Sequence, residues 1–243
     1  MIMNFEPENW TNTKRILVIL AHPDDPDFFC GAMLSRWCKQ GHEIHYCLLT
    51  KGQKGGQDAD IDPVELGEKR VLEQQAAARE LGVKSVEFLD YVDGEVIPDL
   101  EMRKKIVRVI RKWKPDILVT SDPLNLFQNG RINHPDHRAA GQAVLDAVFP
   151  AAGSAMFFPE LVKQEGLAPH SVDEVWLSAT SNTNFSLDVT DYFEDKLRAI
   201  HCHRSQIGSS LEEFDNFMRK RFTTDPVSGQ SVFLERFCRI MMK

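Results

Sequence analysis

Three features of the 243-residue sequence predict an α/β protein with a mostly parallel central sheet between two helical layers. The continuous aliphatic run Ile16-Leu17-Val18-Ile19-Leu20 reads as a strand buried on both faces, and Asp116-Ile117-Leu118-Val119-Thr120 reads as a further strand. Segments of helical periodicity alternate with those runs, as parallel strands require. The 42% hydrophobic content is enough to bury a substantial core. The length fits one domain over residues 1–243, with a core at about 14–206 and a helical tail at 207–243.

The elements follow in order. The first strand ends in Ala21-His22-Pro23-Asp24-Asp25, and residues 28–39 carry Phe29, Met33, Leu34, Trp37 and Cys38 at helical spacing up to a stop at Gly41. Residues 43–50 form a second strand, and the glycine-rich stretch 50–56 leaves it as a rim loop. Residues 63–81 are a helix with Gly82 as its stop, 86–89 a third strand, and Asp93-Gly94 a turn. The helix at 99–114 ends at Pro115, and the fourth strand opens a loop over 121–133. Asn125, Phe127, Asn129 and Arg131 of that loop, and Phe157-Phe158-Pro159 further on, are expected around a cleft. A helix over 135–149, strands at 174–178 and 186–189, and a helix from Asp191 to His201 complete the core. Beyond Gln206, Leu211, Phe214 and Met218, then Phe233, Phe237, Ile240 and Met241, keep helical spacing, which predicts a tail that packs on the core or makes an oligomer contact.

Functional groups of a parallel sheet collect beyond the carboxyl ends of its strands, where the His22-Pro23-Asp24-Asp25 turn falls. An imidazole and two carboxylates on one stiff turn suit a metal ion, with one carboxylate left free to take a proton. Asn133-His134-Pro135-Asp136-His137 supplies what is missing. Proline favours the first helical position and keeps the residue before it out of helical geometry. His134 therefore precedes the helix and His137 lies in its first turn, so His22, Asp25 and His137 are the expected ligands. His42 and His45 share an H-x-x-H spacing, but they fall on opposite faces at the wrong end of a strand.

A net charge of −7 argues against a nucleic-acid or anionic-membrane surface. Five scattered cysteines without a CxxC pair predict no disulfide framework and a cytoplasmic setting. The first ten residues lack the basic and apolar segments of a signal peptide, and no apolar run nears the roughly 18 residues of a membrane helix.

An AHPDD turn after a first strand, with HPDH opening a later helix, resembles the LmbE-like (PIG-L) family of metal-dependent N-deacetylases, over residues 14–206. The resemblance implies a Rossmann-like fold and zinc, or another divalent metal, on His22, Asp25 and His137. It implies Asp24 as general base, His134 as oxyanion stabiliser and Asp136 as the group that orients a histidine and favours a charged His134. Arg70, in an R-x-x-E pattern with Glu73, Asp93, and His203 of a closing K…HxSQ-like segment (Lys196…His203-Arg204-Ser205-Gln206) are implied near the substrate. The family has an acidic residue directly after AHPDD, whereas here Pro26 stands there and Asp27 follows. The implied activity removes an N-acetyl group from an N-acetylglucosamine-type small molecule or glycoconjugate. An amidase of a thiol-sugar conjugate is the alternative enzyme. A non-catalytic sugar- or nucleotide-binding module is the other class, although no G-x-G-x-x-G follows the first strand.

Overall fold

The computed structural model describes residues 8–56, 58–128, 130–208 and 210–242. The elements β1 (Arg15–Leu20), α1 (Asp25–Lys39), β2 (Glu43–Thr50), α2 (Pro63–Leu81), β3 (Ser85–Tyr91), α3 (Leu100–Trp113) and β4 (Ile117–Ser121) alternate. A small ribbon, β5 (Phe127–Gln128) with β6 (Arg131–Ile132), precedes α4 (Pro135–Asp146), which runs on into a π-helical turn at Ala147–Ala152. Then come α5 (Pro159–Lys163), β7 (Glu174–Ser178), β8 (Phe185–Asp188), α6 (Phe193–His201), α7 (Arg204–Ile207) and α8 (Leu211–Arg219). A ribbon of β9 (Thr223–Thr224) and β10 (Ser231–Val232) leads to β11 (Leu234–Met241).

Seven strands form the main sheet in the order β3-β2-β1-β4-β7-β11-β8. β3, β2, β1, β4 and β7 are parallel, so their carboxyl ends share one edge. From β1 the chain builds outward through β2 and β3, then returns to lay β4 against the other side of β1. That reversal opens a crevice at the carboxyl edge between β1 and β4, the place where such sheets bind ligands. Alternation along β1 assigns the two layers. Ile16, Val18 and Leu20 pack with Met33, Trp37, Ala77 and Leu197 of α1, α2 and α6, while Leu17, Ile19 and Ala21 pack with Ile106, Ile110, Ala140 and Val144 of α3 and α4.

The expected helical tail holds only for α8. Residues 234–241 are instead a strand inside the main sheet, antiparallel to β7 on one side and β8 on the other. A strand covered on both faces needs no strict alternation, so the spacing of Phe233, Phe237, Ile240 and Met241 suits either element. The open edge of β7 decides between them. Phe157-Phe158-Pro159 also departs from expectation: Phe158 packs with the α3 and α4 layer, and Arg111 holds the Phe157 carbonyl at 3.0 Å. His45 stacks on Trp113 at 3.7 Å between ring centroids, far from any metal role.

β11 has a second task. α1 is kinked at Cys30 (φ −145, ψ 19), which breaks its backbone ladder. The Ala32 and Met33 N–H groups donate instead to Glu235 Oε1 (3.2 Å) and Oε2 (2.8 Å), and the Phe28 carbonyl accepts from Lys196 Nζ (2.9 Å). Lys196 and Glu235 pair at 2.5 Å, both buried. One ion pair thus satisfies the groups that the kink leaves open. The stem of Lys196 passes Gly31, where a Cβ would sit 3.3 Å from Lys196 Cγ. Glu235→Leu, which strands the Lys196 charge and two N–H groups in the interior, is expected to lower stability by about 3–5 kcal/mol in urea unfolding. Pairing it with Lys196→Met is expected to recover part of that loss.

Candidate metal centre

The turn after β1 is tightly held. Thr50, at the end of β2, donates its N–H to the Ala21 carbonyl at 2.9 Å, and Asp25 Oδ2 accepts from the His22 N–H at 2.8 Å. Asp24 lies between them at φ 87, ψ −32, outside the regions open to a non-glycine residue. Such a conformation costs about 1–3 kcal/mol and is found where surrounding contacts enforce it. Across the crevice His134 is the N-cap of α4, Pro135 opens the helix, and His137 stands in its first turn.

The two turns bring three side chains together. His22 Nδ1 lies 3.3 Å from His137 Nε2 and 3.4 Å from Asp25 Oδ2, and His137 Nε2 lies 3.0 Å from Asp25 Oδ1. Ligand atoms at about 2.0–2.1 Å from a tetrahedral ion sit about 3.3 Å apart, the spacing of His22 Nδ1 and His137 Nε2, while each imidazole approaches a different oxygen of Asp25. The far nitrogen of each imidazole is also engaged. His137 Nδ1 donates to Asn133 Oδ1 at 2.9 Å, which leaves the Nε2 lone pair for an ion. His22 Nε2 faces Asp136 Oδ2 at 3.2 Å and Asp93 Oδ1 at 3.1 Å, which leaves Nδ1. Donor atoms of His22, His134 and His137, and of His22, Asp93 and Asp136, also lie within 4.8 Å of one another. The arrangement with Asp25 uses the nitrogens that these hydrogen bonds leave open.

Burial would lower the His22 pKa, but the carboxylates of Asp136, Asp25 and Asp93 raise it well above the usual imidazole value. Burial would likewise raise Asp25, yet the imidazoles of His137 and His22 hold it far below the carboxylate range. Asp24 is pushed up to about 6, by burial first and by the Asp25 charge, against the pull of Arg70. Two adjacent carboxylates are therefore driven apart: one stays ionised beside the imidazoles, and the other is placed to exchange a proton near neutrality.

Two expectations need correction. Asp136 does orient a histidine, but its carboxylate meets His22 and is fixed by the Gly94 N–H at 2.7 Å. His134 receives only the Asp136 backbone N–H, on Nδ1 at 3.2 Å. Asp136 and Asp93 do favour its charged form, as expected of Asp136, but desolvation and the imidazoles of His22 and His137 outweigh them and lower its pKa, and with Nδ1 accepting that N–H the ring is neutral with its proton on Nε2. His203 is fully buried and does not line the cleft; its Nε2 donates to Asp27 Oδ2 at 2.8 Å. Asp27 thus serves as the buried carboxylate after the AHPDD turn, one position later than in the family pattern.

The cleft, of about 340 Å³, is lined by Asp24, Phe28, Phe29, Arg70, Asp93 and His134 together with the three donors and Gly55. Arg70 reaches it, but its guanidinium is already bonded to the Gly52 carbonyl (2.7 Å) and the Pro23 carbonyl (2.8 Å) and lies 3.3 Å from Asp24 Oδ2. A Cβ on Gly52 or Gly55 would overlap this guanidinium, which accounts for the glycines of the rim loop. Asp93 turns one oxygen to His22 and receives the Lys54 N–H on the other at 3.0 Å. Glu73 accepts from the Ser205 N–H (2.9 Å) and hydroxyl (2.6 Å), tying α2 to the closing segment. Asn125 is turned inward and Phe127 and Arg131 are exposed, none of them lining the cleft, while Asn129 lies outside the described residues.

Sequence reasoning gave no role to Asn133 and did not single out Gln74. Gln74, one turn beyond Arg70 on the same face of α2, accepts the Asp24 N–H at 2.8 Å and donates to Asp27 Oδ2 at 2.9 Å. Its i+4 spacing from Arg70 was a usable signal. Asn133 was not recognisable, because its contact depends on how the loop enters α4.

Two imidazoles and a carboxylate at the switch point of a parallel sheet, with a second carboxylate beside them, define an α/β protein with side chains that could hold a metal ion. The chain belongs to the PIG-L family: the family model described as GlcNAc-PI de-N-acetylase matches residues 17–148. It is 35% identical over 206 residues to the diacetylchitobiose deacetylase of Thermococcus kodakarensis, covering 85% of this chain and 75% of that one. It also resembles the crystal structure of the N,N'-diacetylchitobiose deacetylase from Pyrococcus horikoshii (TM-score 0.85, 30% identity, 95% of this chain and 85% of that one). The 4-carboxy-2-hydroxymuconate hydratase GalB of Pseudomonas putida shares the fold at 19% identity (TM-score 0.76, 95% of this chain and 98% of that one).

Asn133→Ala is expected to leave the fold intact and to weaken zinc binding about 10–100-fold, read by competition with a chromogenic chelator.

Proposed function

We propose that this protein is a zinc-dependent hydrolase that removes the acetyl group from an N-acetylglucosamine-type small molecule or glycoconjugate, releasing acetate and a free amine. The observation that carries this reading is the convergence of His22, Asp25 and His137 at the cleft floor, 3.0–3.4 Å apart, with the Asp24 carboxylate beside them and Arg70 3.3 Å from it. The fold alone is not decisive, since related sheets also carry hydratase chemistry. The names of the relatives support the deacetylase reading and the class of substrate.

Zinc on His22, Asp25 and His137, when bound, would polarise the amide carbonyl and lower the pKa of a water from about 15.7 toward about 7. Asp24 takes the proton of the attacking water and returns it to the departing amine, its carboxylate lining the cleft beside the donors. His134 donates from Nε2 to the developing oxyanion and needs no positive charge to do so. The Asp136 backbone N–H fixes that tautomer by occupying Nδ1. Arg70 holds the carboxylate of Asp24, and Asp93 offers an acceptor to a sugar hydroxyl at the cleft wall. The five free cysteines are in keeping with a reducing, cytoplasmic setting, and no helix among the described residues is long and apolar enough to cross a membrane.

Acetate release from N-acetylglucosamine and N,N'-diacetylchitobiose, with and without chelator, tests the proposal. Chelator is expected to abolish turnover and zinc to restore it. Release of acetate by the fully demetallated protein would refute the metal-dependent reading. Asp24→Asn is expected to keep stoichiometric zinc while kcat falls about 10²–10⁴-fold. Parental turnover in that variant would remove Asp24 from the role of base.

A further inference from the structure

The peptide that joins Pro23 to Asp24 is gripped at both of its polar atoms by α2. Arg70 Nη2 donates to the Pro23 carbonyl at 2.8 Å, and Gln74 Oε1 accepts from the Asp24 N–H at 2.8 Å. On its other side Gln74 Nε2 donates to Asp27 Oδ2 at 2.9 Å, the oxygen that also receives His203 Nε2 at 2.8 Å. A backbone N–H only donates, so the Gln74 amide has one allowed orientation, with its oxygen on the Asp24 N–H. Gln74, Asp27 and His203 are each fully buried, and none lines the cleft.

We propose that Gln74 is the positioning residue for Asp24. The chain His203–Asp27–Gln74 holds the backbone of Asp24 at φ 87 and so aims its carboxylate at the reacting side of the metal site. The effect on rate rests on the deacetylase reading above; the effect on the backbone does not. Asp25 is anchored separately by the His22 N–H and by His137, so the donor set survives a change at Gln74.

Two variants test this. Gln74→Met removes both hydrogen bonds and adds no charge, and Gln74→Glu keeps the shape but faces a carboxylate with Asp27. Each is expected to lose about 100-fold in kcat, the scale of a misaimed catalytic group. Zinc stays stoichiometric, and KM stays within about twofold because the lost interaction serves the transition state. A merely structural role would lower zinc content and melting temperature together and would not separate kcat from KM. The double variant Gln74→Glu/Asp27→Asn rebuilds the chain with its donors reversed. The new amide donates to the new carboxylate and to His203 Nε2, whose proton moves to Nδ1, an atom with no hydrogen-bond partner among the described residues of the parental chain. Recovery to within about tenfold of the parental kcat is expected, as for two coupled neighbours.

Parental kcat in Gln74→Met overturns the proposal, and so does a double variant no faster than Gln74→Glu alone. Hydrogen exchange of the Asp24 amide, followed by NMR, needs no substrate. It is expected to be slow in the parental protein and much faster in Gln74→Met, and an unchanged exchange rate also overturns the proposal. If the parental protein released no acetate from either sugar, the deacetylase reading would fail while the exchange result still judged Gln74.

Discussion

Two imidazoles and a carboxylate stand 3.0–3.4 Å apart in a buried site because each is also held from behind by a hydrogen-bond partner. Here every donor has such a support. Asn133 holds His137, Asp136 and Asp93 face His22, and the His22 backbone N–H holds Asp25. The supports come from the end of β1, the turn after β3 and the entry to α4. The parallel sheet is what brings these three places to one edge, so the donor set exists only when β1, β3 and β4 are in register.

The layer formed by α1, α2 and α6 does comparable work beneath the turn. Arg70, Glu73 and Gln74 lie on one stretch of α2 and reach three different targets: the turn carbonyls, Ser205 and the Asp24 amide. Lys196 and Glu235 enter the break in α1, which carries Phe28 and Phe29 into the cleft wall. A buried ion pair is a weak source of stability compared with apolar packing. Its value here is geometric, since it lets a helix bend at Cys30 without leaving backbone groups unpaired.

Electrostatics then separate groups that are alike in sequence. Asp24 and Asp25 are neighbours, yet the imidazoles draw one down and burial lifts the other. His134 and His137 are three residues apart, yet one caps a helix through Nδ1 and stays neutral while the other offers Nε2 to the donor set. A difference in role between like residues comes from which atom is already occupied by a neighbouring hydrogen bond.

Much of this was legible in the chain itself. Uninterrupted aliphatic runs mark strands covered on both sides, and proline at the head of a helix separates His134 from His137, because both signals are local and depend on backbone sterics. The expected trio of His22, Asp25 and His137 followed from those two signals, and the structure brings these three side chains together. The placement of β11 did not, since the spacing of Phe233, Phe237, Ile240 and Met241 satisfies a helix or a doubly covered strand equally, and only the unpaired edge of β7 chooses. Nor did the partner of Asp136, the burial of His203, or the service of Gln74 to Asp24. Each is a contact between groups remote in sequence, and which donor meets which acceptor is decided by the packing of α2 and α4 against the sheet. The residue types and local turns came from the sequence alone; the pairing of polar atoms in a dry interior belonged to the tertiary structure.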